Sequence, residues 1–136
     1  MNKSIPHCNR SPHGWWIGSY IERYEFNDED RSNLSRRCDA YENTLILKAR
    51  TREEAYRKLV SLGSGHGSEC GPAHGRKGFW RFEGVTDLLP IYEKLEDGAE
   101  ILWRHHRGLA VKTIKKFVCA QKDLPVFDDS EPMGCA

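Results

Sequence analysis

The sequence predicts an α+β fold in the order β-β-α-β-β-α, a four-stranded antiparallel sheet with two helices on one face. Three observations point to it. Aromatic and β-branched residues alternate through 15–26, and further strand-like runs follow at 41–50, 79–89 and 99–103. A capping sequence opens 51–63, which then keeps apolar residues at helical spacing. Hairpin-type connections, one of them with a glycine turn, separate paired strands.

Length and composition bound the rest. The chain has 136 residues, 38% of them hydrophobic, and a formal net charge of +1. That suits one domain, and near-neutrality argues against a dedicated polyanion binder or an acidic solvating chain. No apolar run is long enough to span a bilayer, and the first thirty residues hold no apolar stretch of the secretory type. Five cysteines, odd in number and widely spaced without a CxxC pair, read as free thiols in a reducing compartment. The expectation is a cytoplasmic protein with no membrane association.

Residues 1–14, rich in Pro, Asn and Ser, read as a flexible N-terminal arm. In the first strand, Trp16, Tyr20, Tyr24 and Phe26 share one parity, and Trp15, Ile17 and Ile21 the other. Residues 27–39 are charged and aperiodic, which predicts a long, mobile connection. Tyr41 to Arg50 then returns as the second strand, antiparallel to the first. Thr51 and Glu54 form the capping box, Ala55, Leu59 and Leu62 the apolar stripe, and Gly63 the left-handed stop.

A glycine-rich loop at 63–78 excludes regular structure. Beyond it, Trp80 and Phe82 fall on one strand face, and Gly84 marks a bulge that turns Val85 inward. Pro90 places this strand's end at a sheet edge or in a fray. Glu96-Asp97-Gly98 is a hairpin turn signal, so 99–103 is the returning fourth strand. Val111, Ile114, Phe117 and Val118 define a second helix ending near Gln121, with Cys119 as a small core residue. The single domain then covers 15–121, followed by an acidic tail over 122–136.

The double Trp at 15–16, the helix TREEAYRKLVSLG and the segment FWRFEGVTDLLPIYEKLEDGAEI carry a resemblance. Together they look like an uncharacterised bacterial family of small proteins known as a domain of unknown function. Its landmarks are an aromatic first strand, an E-E-A helix ending Leu-Gly, a W-x-F-x-G-V-x-D-L strand and an L-x-D-G-x-E hairpin. The resemblance covers Trp15 to Trp103. It implies the architecture and carries no activity. The chain departs from it in the Gly- and His-rich loop and the N-terminal arm.

Candidate chemistry is sparse. His66-x3-Cys70-x3-His74 offers three nitrogen or sulfur ligands, with His7, Cys8 or His13 to complete four, but the spacing matches no common zinc knuckle. A flexible glycine loop does not pre-organise such a site, so no metal or other cofactor is expected. The same loop follows a helix and precedes a strand, the reverse of a phosphate-binding loop. Glu83, Asp87, Asp97 and Glu100 read as solvent-facing and turn residues rather than an acid–base pair. No nucleophile–base motif appears, so a non-enzymatic protein is expected.

Two binding surfaces remain. The sheet face away from the helices, exposing some of Trp16, Tyr20, Tyr24, Trp80 and Phe82, is a second core side or a contact patch for a protein partner or a second copy of the chain, as in an immunity protein that neutralises a toxin. The stretch 103–122 holds Arg104, Arg107, Lys112, Lys115, Lys116 and Lys122 without one acid, interleaved with Trp103 and Phe117. That pattern suits a nucleic-acid backbone as the alternative partner. Four acids and no base in 123–136 can fold back and mask it.

Overall fold

β-Branched and aromatic side chains favour extended backbone, and the richest run of them becomes the central strand, β1 (Trp15–Phe26). The computed structural model describes residues 4–65 and 77–130. β1 is flanked by β2 (Ala40–Lys48) and β3 (Gly78–Pro90), both antiparallel to it, in the order β2-β1-β3. Between β2 and β3 lies α1 (Arg52–Gly65). The Glu54 N–H donates to Thr51 Oγ1 (3.1 Å), and the Glu54 carboxylate accepts from the Arg50 N–H (3.2 Å), one residue before the expected partner.

The even-numbered residues of β1 face α1. Trp16, Tyr20, Leu47, Ala49, Ala55 and Leu59 form the buried core, with Leu45, Phe82, Val85 and Leu88 packed against it. Phe82, Val85 and Leu88 recur every three residues, which a regular strand of period two cannot place on one face. Two bulges resolve this. The register against β1 skips Glu83 and then Thr86, so each extra residue restores the inward parity. The bulge beside Gly84 and the inward Val85 agree with the sequence reading.

Close approach of helix and sheet rests on two small residues. A methyl group on Gly18 would stand 2.6 Å from Leu59 Cδ2, and one on Gly63 would stand 2.7 Å from Phe82 Cε2. Gly63 is therefore an interior helix residue pressed on the sheet, not the left-handed stop, and α1 continues to Gly65.

The sheet has three strands, not four. The Glu96–Gly98 turn forms, with Gly98 at φ +85° and the Ala99 N–H bonded to the Glu96 carbonyl. Pro90 has already ended β3, however, and residues 92–95 are irregular, so 99–103 meets no extended arm to pair with. Ile101, Leu102 and Trp103 stay exposed.

Residues 4–14, expected as a free arm, are tied to the sheet's end. Ser11 Oγ donates to the Trp15 or Ile91 carbonyl (2.5 and 3.1 Å), the Ala49 N–H to that of Gly14 (2.8 Å), and Tyr92 Oη to that of Cys8.

The chain divides into two compact units, Met1–Trp103 and Arg104–Ala136. The first holds the sheet and α1. In the second, α2 (Val111–Lys115) spans five residues and gives way to three-residue turns at Gln121–Asp123 and Pro125–Phe127. The expected helix to Gln121 is cut short, because β-branched Val111, Thr113 and Ile114 lower helix propensity and no described residue of this unit is buried. Cys119, read as core, is exposed, and Cys8, Cys38 and Cys119 are free thiols.

Candidate functional site: a buried glutamate latch and an aromatic sheet end

On the sheet face away from α1, Glu25 ends the outward parity of β1 with its side chain only 1% exposed. Such a carboxylate stays charged only when cations surround it. Arg81 Nη1 from β3 lies 3.0 Å from Oε2, while Arg31 Nε, Arg23 Nη2 and Arg36 Nη2 lie 3.4, 3.5 and 3.7 Å from Oε1. Burial pushes the Glu25 acid up, but the Arg81 hydrogen bond and the charges of Arg31, Arg81 and Arg23 outweigh it and hold the carboxyl below its usual range.

The arginines have further partners. Arg23 Nε donates to Glu83 Oε1 (2.7 Å), which the β3 bulge delivers, and Arg36 Nε donates to Glu29 Oε2. The Glu29 carboxyl is lowered chiefly by the Phe26 N–H, which it accepts at 2.7 Å, and by Arg36. Arg36 also donates to the Asn33 carbonyl (2.8 Å), and the Ser32 N–H to Asp30 (3.1 Å). The connection 27–39, expected as a mobile excursion, is thus bonded within itself and clamped to the sheet. It encloses a cleft of about 250 Å³ lined in part by Phe26, Asp28, Asn33 and Arg37. Every guanidinium of the cluster faces a carboxylate, so the arrangement holds a loop in place rather than offering free cations to an anion.

The helix-facing side ends differently. Tyr24, 2% exposed, packs edge-on against Phe26 and Trp80 at centroid distances of 5.1 and 5.3 Å, and Trp80 meets Tyr41 at 5.2 Å. The series runs from a buried ring to a tyrosine 46% exposed. Its underside is fixed by ring contacts worth about 0.5–1.5 kcal/mol each.

The sequence-derived sites separate accordingly. Trp16, Tyr20 and Tyr24 are buried, and Trp16 and Tyr20 pack with Ala55 and Leu59 of α1, so of the two readings the core side holds for them and their face is the one the helix covers. Phe82 packs on Tyr20 at 5.8 Å, and with Trp80 it is half-buried. Arg104, Arg107, Lys112, Lys115 and Lys116 are all exposed and belong to the second unit. His66, Cys70 and His74 lie outside the described residues. No helix among the described residues is long and apolar enough to cross a membrane.

Sequence reasoning missed Glu25, Arg23, Arg31, Arg36, Arg81 and Tyr41. The one local sign was Arg23-x-Glu25, which shares a strand face. The other partners come from distant segments.

A family model for a domain of unknown function, DUF4288, matches residues 15–103. The chain belongs to this family. The DUF4288 match starts at the double Trp and ends at Trp103, where the first compact unit ends. The DUF4288 region therefore contains the sheet, the latch and the aromatic end, while the basic stretch from Arg104 lies beyond it. No curated protein and no solved structure matches the chain.

Proposed function

We propose that this chain is a non-enzymatic binding protein of the bacterial cytoplasm, and that the aromatic sheet end meets a protein partner. The observation that carries this reading is the series Tyr24, Trp80, Tyr41. A rigid, ring-packed base presents a half-exposed tyrosine, and aromatic anchors that lose little entropy on binding dominate protein interfaces. The clamped loop 27–39 adds a fixed polar rim through Phe26, which borders both features. An immunity-type role is one member of this class. Quantitative co-purification of the tagged full chain tests it. A partner enriched with the native protein and lost with Tyr41→Ala, at unchanged circular dichroism, supports the reading, and equal recovery with both proteins contradicts it.

A second reading has its own support. The five bases from Arg104 to Lys116 are exposed, and no acid interrupts them. Binding of short RNA or DNA that weakens steeply with salt favours it, since each phosphate contact releases a counterion. No binding at low salt removes it.

A further inference from the structure

An antiparallel sheet of three strands has two open edges, and they are built differently. β3 carries two bulges and ends in Pro90, devices that keep an edge from pairing. β2 has none. Its nine residues run in unbroken register against β1, from Trp15↔Lys48 to Arg23↔Ala40. The five from Asn43 to Leu47 include no charge, proline or glycine. Among the described residues, no strand covers the far side of β2.

The hydrogen bonds at the two ends of the ladder show which groups are open. Tyr24 N–H donates to the Asp39 carbonyl (2.9 Å), and Ala49 N–H to the Gly14 carbonyl (2.8 Å). Odd-numbered residues of this segment therefore bond to β1. Ala40, Glu42, Thr44, Ile46 and Lys48 direct their backbone groups outward. The Lys48 carbonyl confirms the direction, because the Lys58 ammonium, off β1, takes it at 3.0 Å. Glu42, Thr44, Ile46 and Lys48 are all exposed.

We propose that β2 pairs with β2 of a second copy, antiparallel about Leu45, to make a continuous six-stranded sheet. That register sets Thr44 opposite Ile46 of the second copy in a hydrogen-bonded pair. It also sets Glu42 opposite Lys48 of the second copy, and two-fold symmetry makes each pair twice. Opposite charges directly across a ladder stabilise it, and like charges oppose it. Lys48 already donates to the His13 carbonyl (3.1 Å) and sits over the Trp15 ring, so its ammonium is held in place and keeps further donors. The inference rests on the open edge of β2 and not on the aromatic sheet end, although the same register sets Tyr41 opposite Ala49 of the second copy.

Sedimentation equilibrium of the full chain tests it, with the variants Glu42→Lys, Lys48→Glu and both together. The native chain sediments at twice its monomer mass. Each single change sets like charges opposite one another and weakens the dimer about tenfold, and the double change restores it. A native chain that stays monomeric at 100 µM (about a hundred times a micromolar constant) overturns the proposal. A dimer insensitive to the single changes, or one the double change does not restore, overturns it as well.

Discussion

A methyl group on Gly78 would sit 2.2 Å from the Glu25 carbonyl oxygen, and one on Gly63 would sit 3.0 Å from Tyr20 Cγ as well as against Phe82. Backbone and paired rings do not step aside as a flexible side-chain end does. Gly63→Ala gains about 1 kcal/mol of helix propensity but meets an overpacking cost of about 1–3 kcal/mol. The net expectation is a modest loss of stability, a larger loss for Gly78→Ala, and little change for Gly84→Ala, where the space is open. Urea melts of the three variants check the order. Glu25 and Glu29 have carboxyl groups lowered in the folded protein. Their contribution is therefore complete above the ordinary carboxylate range, near pH ~4.3. It is lost as pH falls through the lower folded values. Thermal melts from neutral to acid pH are expected to show that decline. Glu25→Gln is expected to lower the melting temperature by several degrees at neutral pH and to flatten the acid slope. An unchanged slope removes the latch. Beyond the Arg23-x-Glu25 spacing the latch was not legible in the sequence, because Arg81 and Glu83 meet Glu25 and Arg23 only after β3 is laid beside β1.

α1 holds the sheet through one stripe, and its energetics follow from position. Leu59 is fully buried against Gly18 and Leu47, so Leu59→Ala is expected to cost about 2–5 kcal/mol by chemical denaturation. Thr51→Ala, which removes an exposed cap, is expected to cost about 1 kcal/mol. Both features were visible in the sequence, as were β1, β2 and β3, because their periodicity, capping and propensities agree with the packing that stabilises them. The parity of Trp16, Tyr20 and Tyr24 was legible too, but parity does not say which face a helix covers. Gly18, set within that aromatic parity, was the available sign of close approach. The fourth strand and the long second helix failed for the opposite reason: each had a local pattern and no packed partner to stabilise it.

Among the described residues, every buried apolar residue lies between Trp16 and Ile91, within the unit that carries the family match. A chain ending at Trp103 is expected to fold cooperatively, with a melting temperature within a few degrees of the full chain. Loss of the cooperative transition contradicts that division. The net charge of +1 conceals two distinct surfaces, an arginine–glutamate latch whose charges are consumed internally and a basic stretch past the family boundary. The proposed function turns on contact between the aromatic sheet end and a protein partner. Site-specific photo-cross-linking in cells tests it most directly, with benzoylphenylalanine in place of Tyr41 and, as a control, in place of Glu53 on the exposed face of α1. A discrete cross-link from position 41 to a protein other than a second copy of the chain is expected, and none from position 53. Identical patterns from both positions, or none from either, contradict it.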